Sequence, residues 1–369
     1  MKKLCCVFNI PSLYREAIYM EIDKQYDCEW YFENENIDIA LFDLSKLRNA
    51  TLLEHKAFYG RFYRMKGLVK TLLKKNHFDA YLMIGNPMCI SIWLLCLILK
   101  VLKPKKKIYF WTHGWYGKES RFEAIVKGLF LKLADEIFLY GNYSKNLLLD
   151  KGYSSDTLHV IHNSLSYDVQ LELRSFVHSS DIFKSHFGNN NPVLIFIGRL
   201  TSVKRLDILI DTLKLLKQKG SFYNLVLIGD GKEKQNLMKM VNNLQLTSQV
   251  WFYGSCYDEE VNAELIYNAD LCVSPGNIGL TAMHVMMFGC PAITHNDFAY
   301  QMPEFESIKP LKTGNFFVRD SHNSLMDTIE QWFNLNGSRR DYVRKMCFDE
   351  IDNYWTPSYQ IRIIKQVLG

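Results

Sequence analysis

Arg199 and Lys204 are the side chains whose type and spacing point most directly to chemistry. They lie in Gly198-Arg199-Leu-Thr-Ser-Val-Lys204-Arg205. Before them, Val193-Leu-Ile-Phe-Ile197 reads as a buried strand, and after them Leu206, Leu209, Ile210, Leu213 and Leu216 recur at helical spacing. The two cations therefore flank a strand-to-helix loop at the carboxyl edge of a sheet, where open α/β folds bind ligands. A guanidinium grips two oxygens as a fork and an ammonium adds a mobile point charge, so the pair suits a diphosphate. A solvated basic loop is the commoner fate of an isolated Arg/Lys pair, and a second anion-binding element tips the balance.

That element is Gly276-Asn277-Ile-Gly279-Leu280-Thr281-Ala-Met-His284, closed by Gly289-Cys-Pro291-Ala-Ile. Two glycines open a short apolar helix and Gly-x-Pro returns the chain to a strand. A helix start exposes unpaired N–H groups and a positive dipole end, and glycine lets a phosphate approach them. Taken alone, the segment reads equally as a tight turn of an α/β domain.

In order and spacing, these segments resemble the C-terminal half of retaining glycosyltransferases of family four, which have the GT-B fold. The matching residues are Phe196-Ile-Gly-Arg-Leu, Lys204, Leu227-Ile-Gly-Asp-Gly231, Tyr253-Gly254, Ala269-Asp-Leu-Cys-Val-Ser-Pro275, Asn277-Ile-Gly-Leu and Thr313-Gly-Asn-Phe-Phe317. The resemblance implies an α/β chain of two Rossmann-like parallel-sheet domains facing across a cleft. It also implies a nucleotide-sugar donor, UDP- or GDP-linked, held by the second domain at Gly198, Asn277, Gly279, Leu280 and Thr281.

The chain departs from that family at two positions. The usual pair of glutamates, eight positions apart, is replaced by Gly276 and His284. In the family the first commonly contacts the donor sugar and the second the ribose. A histidine can still hydrogen-bond a ribose hydroxyl through either ring nitrogen. Glycine offers only backbone, which leaves Glu304 and Glu306 in Gln301-Met-Pro-Glu-Phe-Glu as the nearest acidic candidates, with helix-capping or exposed carboxylates as the competing reading. His113, in Phe110-Trp-Thr-His-Gly-Trp-Tyr-Gly117, matches a histidine that similar enzymes place near the donor sugar. Trp111, Trp115 and Tyr116 beside it could stack on a sugar; a core histidine among aromatics is the other reading.

At 369 residues, 48% hydrophobic and 22% charged, the chain can bury two sizeable cores. Nine cysteines without a C-x-x-C motif indicate neither a disulfide framework nor a zinc site, and read as reduced core residues of a cytoplasmic protein. Alternating strands and helices, from Leu4 to Asn9 through Leu158 to Ile161, argue for a parallel sheet. The expected domains are 1–165 for the acceptor, 166–355 for the donor, and a helix over 356–369 crossing back, with an aperiodic connection from Asn163 to about Asn191.

Ala80 to Leu99 lacks a formal charge, but Gly85-Asn86-Pro87 splits it into strand, turn and helix. Lysines at 66, 70 and 74, and again at 100, 103 and 105–107, suit the headgroups of an anionic membrane or simply solvent. A net charge of +5 without a nucleic-acid motif disfavours nucleic acid.

The expected function is hexosyl-type transfer to a glycan or lipid-linked acceptor, with retention, in bacterial surface polysaccharide assembly. The expected catalytic residues are His113, Arg199 and Lys204, without cofactor or metal, since no Asp-x-Asp element is evident. A GT-B-type epimerase or phosphorylase, or a non-catalytic sugar-nucleotide-binding relative, remains the alternative.

Overall fold

The computed structural model describes residues 1–34, 40–75 and 77–369. They divide into two compact units, one of Met1–Ser166 with Thr356–Gly369, the other of Tyr167–Trp355.

The first unit is built on an eight-stranded sheet. In chain order it contains β1 (Lys3–Val7), α1 (Glu16–Gln25), β2 (Asp27–Asn34), β3 (Ala50–Tyr59), β4 (Phe62–Met65) and α2 (Leu68–Lys74). There follow β5 (Ala80–Ile84), α3 (Ile90–Leu102), β6 (Lys107–Thr112), α4 (Arg121–Leu131), β7 (Glu136–Leu139), α5 (Asn142–Leu149) and β8 (Leu158–Val160). The strand order is β4-β3-β2-β1-β5-β6-β7-β8, parallel except for the β3–β4 hairpin at one edge. The direction of strand addition reverses beside β1, the point where such sheets take ligands.

Strands covered on both faces read as continuous apolar runs. Leu4, Cys5, Cys6 and Val7 are wholly buried, as are Ala80, Leu82 and Met83 of the neighbouring strand. All nine cysteines are free thiols, and Cys256 alone among them is not buried. In β3 the run Ala-Thr-Leu-Leu-Glu-His-Lys-Ala-Phe-Tyr lies largely in solvent, without regular alternation of burial.

The second unit runs α6 (Tyr167–Phe176), α7 (Ile182–Phe187), β9 (Val193–Ile197), α8 (Leu206–Gln218), β10 (Asn224–Ile228), α9 (Lys234–Asn243) and β11 (Val250–Gly254). It continues with α10 (Glu259–Asn268), β12 (Leu271–Ser274), α11 (Thr281–Met287), β13 (Ala292–His295), β14 (Gly314–Phe317), α12 (His322–Asn336) and α13 (Arg340–Tyr354). Its six strands are ordered β11-β10-β9-β12-β13-β14 and all pair in parallel. The reversal here falls between β9 and β12, where the loops bearing Arg199 and Asn277 begin. Both units are thus Rossmann-like α/β layers.

The stretch 163–191, read from sequence as an aperiodic connection, is mostly helical. In α6 a single residue, Gln170, is buried, so the helix presents too narrow an apolar stripe to register as a period. The final helix α14 (Pro357–Leu368) belongs to the first unit and packs on α1. Thr356 caps it by accepting from Tyr359 N–H at 3.0 Å, and the wholly buried Gln360 donates to the His162 carbonyl at 2.9 Å.

No helix among the described residues is long and apolar enough to cross a membrane.

Candidate functional site

Two loops meet at the carboxyl edge of the second unit's sheet. Thr281, opening α11, donates its hydroxyl to the Ile197 carbonyl at the end of β9, at 3.0 Å. Gly276 N–H donates to the Lys204 carbonyl at 2.9 Å. These bonds tie the Gly198–Arg205 loop to the Gly276–Leu280 loop. A third loop locks beneath them: Leu200 N–H donates to Asp230 O at 2.8 Å, and a side chain at Gly229 would place its Cβ 2.0 Å from the Gly198 oxygen. Glycine there is a requirement of backbone packing.

The three cations of the first loop have different partners. Arg205 is engaged by Asp207 at 3.1 Å and by Asp320. Lys204 Nζ donates to the Asn277 carbonyl at 2.7 Å and to Asn277 Oδ1 at 2.9 Å. Burial, and then the nearby Arg199 charge, push the Lys204 ammonium down to about 8, against a smaller upward pull from Glu304. Arg199 is exposed and has no carboxylate partner among the described residues. Two positive groups therefore stand together with neutral acceptors and one acid nearby, which is an unfavourable arrangement until an anion arrives.

Backbone donors complete the setting. Gly279 takes a φ of +54°, a left-handed conformation that glycine adopts without strain. The N–H groups of Gly279 and Leu280 have no hydrogen-bond partner among the described residues. Ile278 N–H, by contrast, donates to Gln301 Oε1 at 3.0 Å. Gln301 is buried and also donates to Thr294 Oγ1 at 2.8 Å and to His295 O at 3.1 Å, so it fixes the loop from below. Sequence reasoning missed this role, although Gln301 opens the very stretch that supplied the acidic candidates.

The two acidic candidates separate. Glu304 is buried and stands within electrostatic reach of Lys204. Glu306 is a partly exposed member of the same 3-10 turn, and its carbonyl accepts from Lys309 Nζ at 2.7 Å.

The residues at the two glutamate positions are explained by their surroundings. A Cβ on Gly276 would lie 1.9 Å from the Val203 carbonyl oxygen, so no side chain fits this backbone. His284 Nε2 donates to Glu259 Oε1 at 2.9 Å. Burial works to raise the Glu259 carboxyl, but hydrogen bonds from His284 and Gln170 hold it below its ordinary value. A carboxylate from α10 thus stands against His284, a pairing that no local spacing reveals.

His113 belongs to the first unit, just past β6. Thr112 accepts from Gly114 N–H at 3.1 Å, and Gly114 at φ +64° leaves no room for a side chain, since its Cβ would sit 2.1 Å from Ser144 Oγ. The imidazole packs 4.6 Å from the Tyr140 ring, and its Nδ1 is buried without a hydrogen-bond partner among the described residues. Burial, then the Arg15 and Lys127 charges, push it down to about 3, so the ring is neutral. The expectation that Trp111 and Trp115 stack on a sugar fails, because both are buried core residues, Trp111 against Phe8 at 5.6 Å. Tyr116 is partly exposed and lies under Lys127 Nζ at 4.8 Å.

Among the described residues no cluster of three or more His, Cys, Asp or Glu could hold a metal ion.

Comparison with known proteins agrees with this architecture. Residues 178–346 match the family described as glycosyl transferases group 1. The chain is 36% identical over 257 residues to an uncharacterized glycosyltransferase of Methanocaldococcus jannaschii, covering 66% of this chain and 57% of that protein. It is 23% identical over 247 residues to an uncharacterized 41.2 kDa protein of the cps region of Klebsiella pneumoniae, covering 66% and 59%. The chain thus spans about half the length of the curated relatives it matches. Among solved structures, HepE of Anabaena in complex with UDP superposes with a TM-score of 0.73 at 16% identity over 100% of both chains. The lipopolysaccharide outer core galactosyltransferase WaaB, in its apo form, gives 0.72 at 16% over 99% of both. Two parallel α/β units with such neighbours define the GT-B fold, and the match to the glycosyl transferases group 1 family lies within the second of them.

Proposed function

We propose that the chain is a glycosyltransferase that takes a sugar from a nucleoside diphosphate and passes it, with retention of anomeric configuration, to a hydroxyl of a glycan or lipid-linked acceptor. The observation that carries the reading is the grouping of Arg199, Lys204 and the unpartnered N–H groups of Gly279 and Leu280 at the reversal point of one sheet. The donor's diphosphate lies among these groups. As the bond from the anomeric carbon to the phosphate oxygen breaks, negative charge grows on the leaving diphosphate, and fixed positive groups stabilise it there. The acceptor oxygen bonds to the anomeric carbon and its proton passes to a donor phosphate oxygen. Charge is balanced by side chains and amides, so turnover is expected to survive a chelator.

Solved neighbours carrying UDP and UDP-glucose support a UDP-linked donor. The cps-region relative and the lipopolysaccharide galactosyltransferase support a role in bacterial surface polysaccharide assembly. Thermal shift of the whole chain against UDP, GDP and their sugars tests the donor directly. Stabilisation by UDP that disappears in Arg199→Ala and Lys204→Ala is expected. No stabilisation by any nucleotide, or equal stabilisation in both variants, overturns the reading.

A further inference from the structure

We infer that the first unit holds an oxyanion site at Arg15, and that the group it takes is a phosphate or carboxylate carried by the acceptor. Arg15 lies in the turn between β1 and α1 and is only 5% exposed. All its hydrogen-bond partners among the described residues are neutral. Nη1 donates to Asn9 Oδ1 at 3.2 Å and to the Tyr19 hydroxyl at 3.5 Å, and Nη2 donates to the Tyr140 hydroxyl at 2.6 Å. A buried cation balanced by neutral groups alone costs stability, so packing does not account for it. The bonds that are made fix the plane of the guanidinium and leave one edge unused. Nε–H and the second N–H of Nη2 share that edge, and Nε is buried with no partner among the described residues. Such an edge grips two oxygens of one phosphate or one carboxylate.

The surroundings of Arg15 carry the same signature. Ser12 Oγ, in the same turn, and Trp111 Nε1 and His113 Nδ1, at the end of β6, are also buried without partners among the described residues. Tyr140, just past β7, joins the two groups: its hydroxyl meets Arg15, and its ring lies 6.1 Å from Trp111 and 4.6 Å from His113. The turn after β1 and the ends of β6 and β7 share the carboxyl edge of the sheet, close to the reversal at β1. Ligands of open α/β sheets bind along that edge. Neutral sugar hydroxyls would leave the Arg15 charge uncompensated, whereas an oxyanion would balance it away from water, where charged hydrogen bonds are strong. Because the donor's diphosphate is assigned to the second unit, the oxyanion received here belongs to the other substrate. That last step rests on the transferase reading; the oxyanion site itself does not.

Calorimetric titration of the whole chain, with and without UDP, against glucose 1-phosphate, glucuronate and neutral methyl glucoside tests it. One of the two anions should bind and the neutral sugar should not, and the anion that binds tells phosphate from carboxylate. Arg15→Gln, which keeps a donor for Tyr140, should weaken that binding about tenfold or more, and Lys204→Ala should leave it unchanged. Arg15→Gln should melt no lower than the native chain, because the charge it removes has no carboxylate partner. In the native chain, the bound anion should raise the pH at which the His113 ring titrates, read by NMR, above its value of about 3. The inference is overturned if neither anion binds, if Arg15→Gln binds as well as the native chain, or if the bound anion leaves His113 unmoved. It is equally overturned if Arg15→Gln weakens UDP as much as glucose 1-phosphate, since the group held would then be the donor's. Failure of UDP to bind at all sinks the donor reading and leaves the Arg15 comparison legible.

Discussion

His284 and Glu259 share a 2.9 Å hydrogen bond that joins α11 to α10, and Gln170 on α6 donates to the same carboxylate oxygen at 2.7 Å. Three helices of the second unit are thereby fastened at His284, where the family resemblance leads one to expect the second glutamate. Because Glu259 titrates below its ordinary value, its contribution to stability is present above about pH 4.5 and fades as pH falls through the folded value.

Replacing His284 with that glutamate should therefore harm the protein. H284E would set its carboxylate against that of Glu259 at hydrogen-bonding distance, and melting should drop by several degrees at neutral pH. The companion change E259Q should restore most of the loss. A stable H284E single variant in a calorimetric scan would contradict this.

Lys204 gives nucleotide binding a defined pH limit. Its ammonium is favoured by an anion, so affinity for UDP should be highest with Lys204 charged and fall above about pH 8, up to about tenfold per pH unit. Calorimetric titration across pH 6.5–9.5 measures this. In Lys204→Met the dependence should vanish, while Arg199→Ala should weaken binding at every pH.

Gly276 should tolerate nothing larger. Gly276→Ala places a methyl carbon 1.9 Å from the Val203 oxygen, which is backbone and cannot swing aside. A loss of about 3 kcal/mol or more, near 10 °C in melting temperature, is expected. Gly276→Glu should not raise activity, since the 202–204 turn must open to admit it.

His113 should make the chain acid-sensitive. Its folded value of about 3 is far below the 6.5 of an exposed imidazole, so the unfolded state binds the extra proton. Stability is intact above pH 6.5 and declines below it. Histidine NMR should show His113 and His295 as rings that stay neutral at pH 5, the latter pushed down to about 4 by burial and then the Arg319 charge, and His113→Asn should remove the first of these signals and partly flatten the acid limb of the melting curve.

What the sequence disclosed followed burial and glycine. Strands covered on both faces, such as β5 and β9, announce themselves as apolar runs, and Gly198, Gly229 and Gly276 mark backbone crossings. Arg199, Lys204 and Gly279 were legible because local spacing placed them at one sheet edge. Glu259 and Gln301 were not, because each acts on a residue more than 20 positions away through a side chain of ordinary type. Edge strand β4 and its neighbour β3 were missed for a related reason, since a strand as exposed as β3 carries little hydrophobic signal.

The return of α14 to the first unit has a bearing on biosynthesis. The side of α1 that packs on α14 waits for that helix until all of Tyr167–Trp355 has left the ribosome. At ordinary elongation rates that delay is on the order of ten seconds or more. The unit made first is finished last, and for that interval its uncovered strip is a natural station for a chaperone.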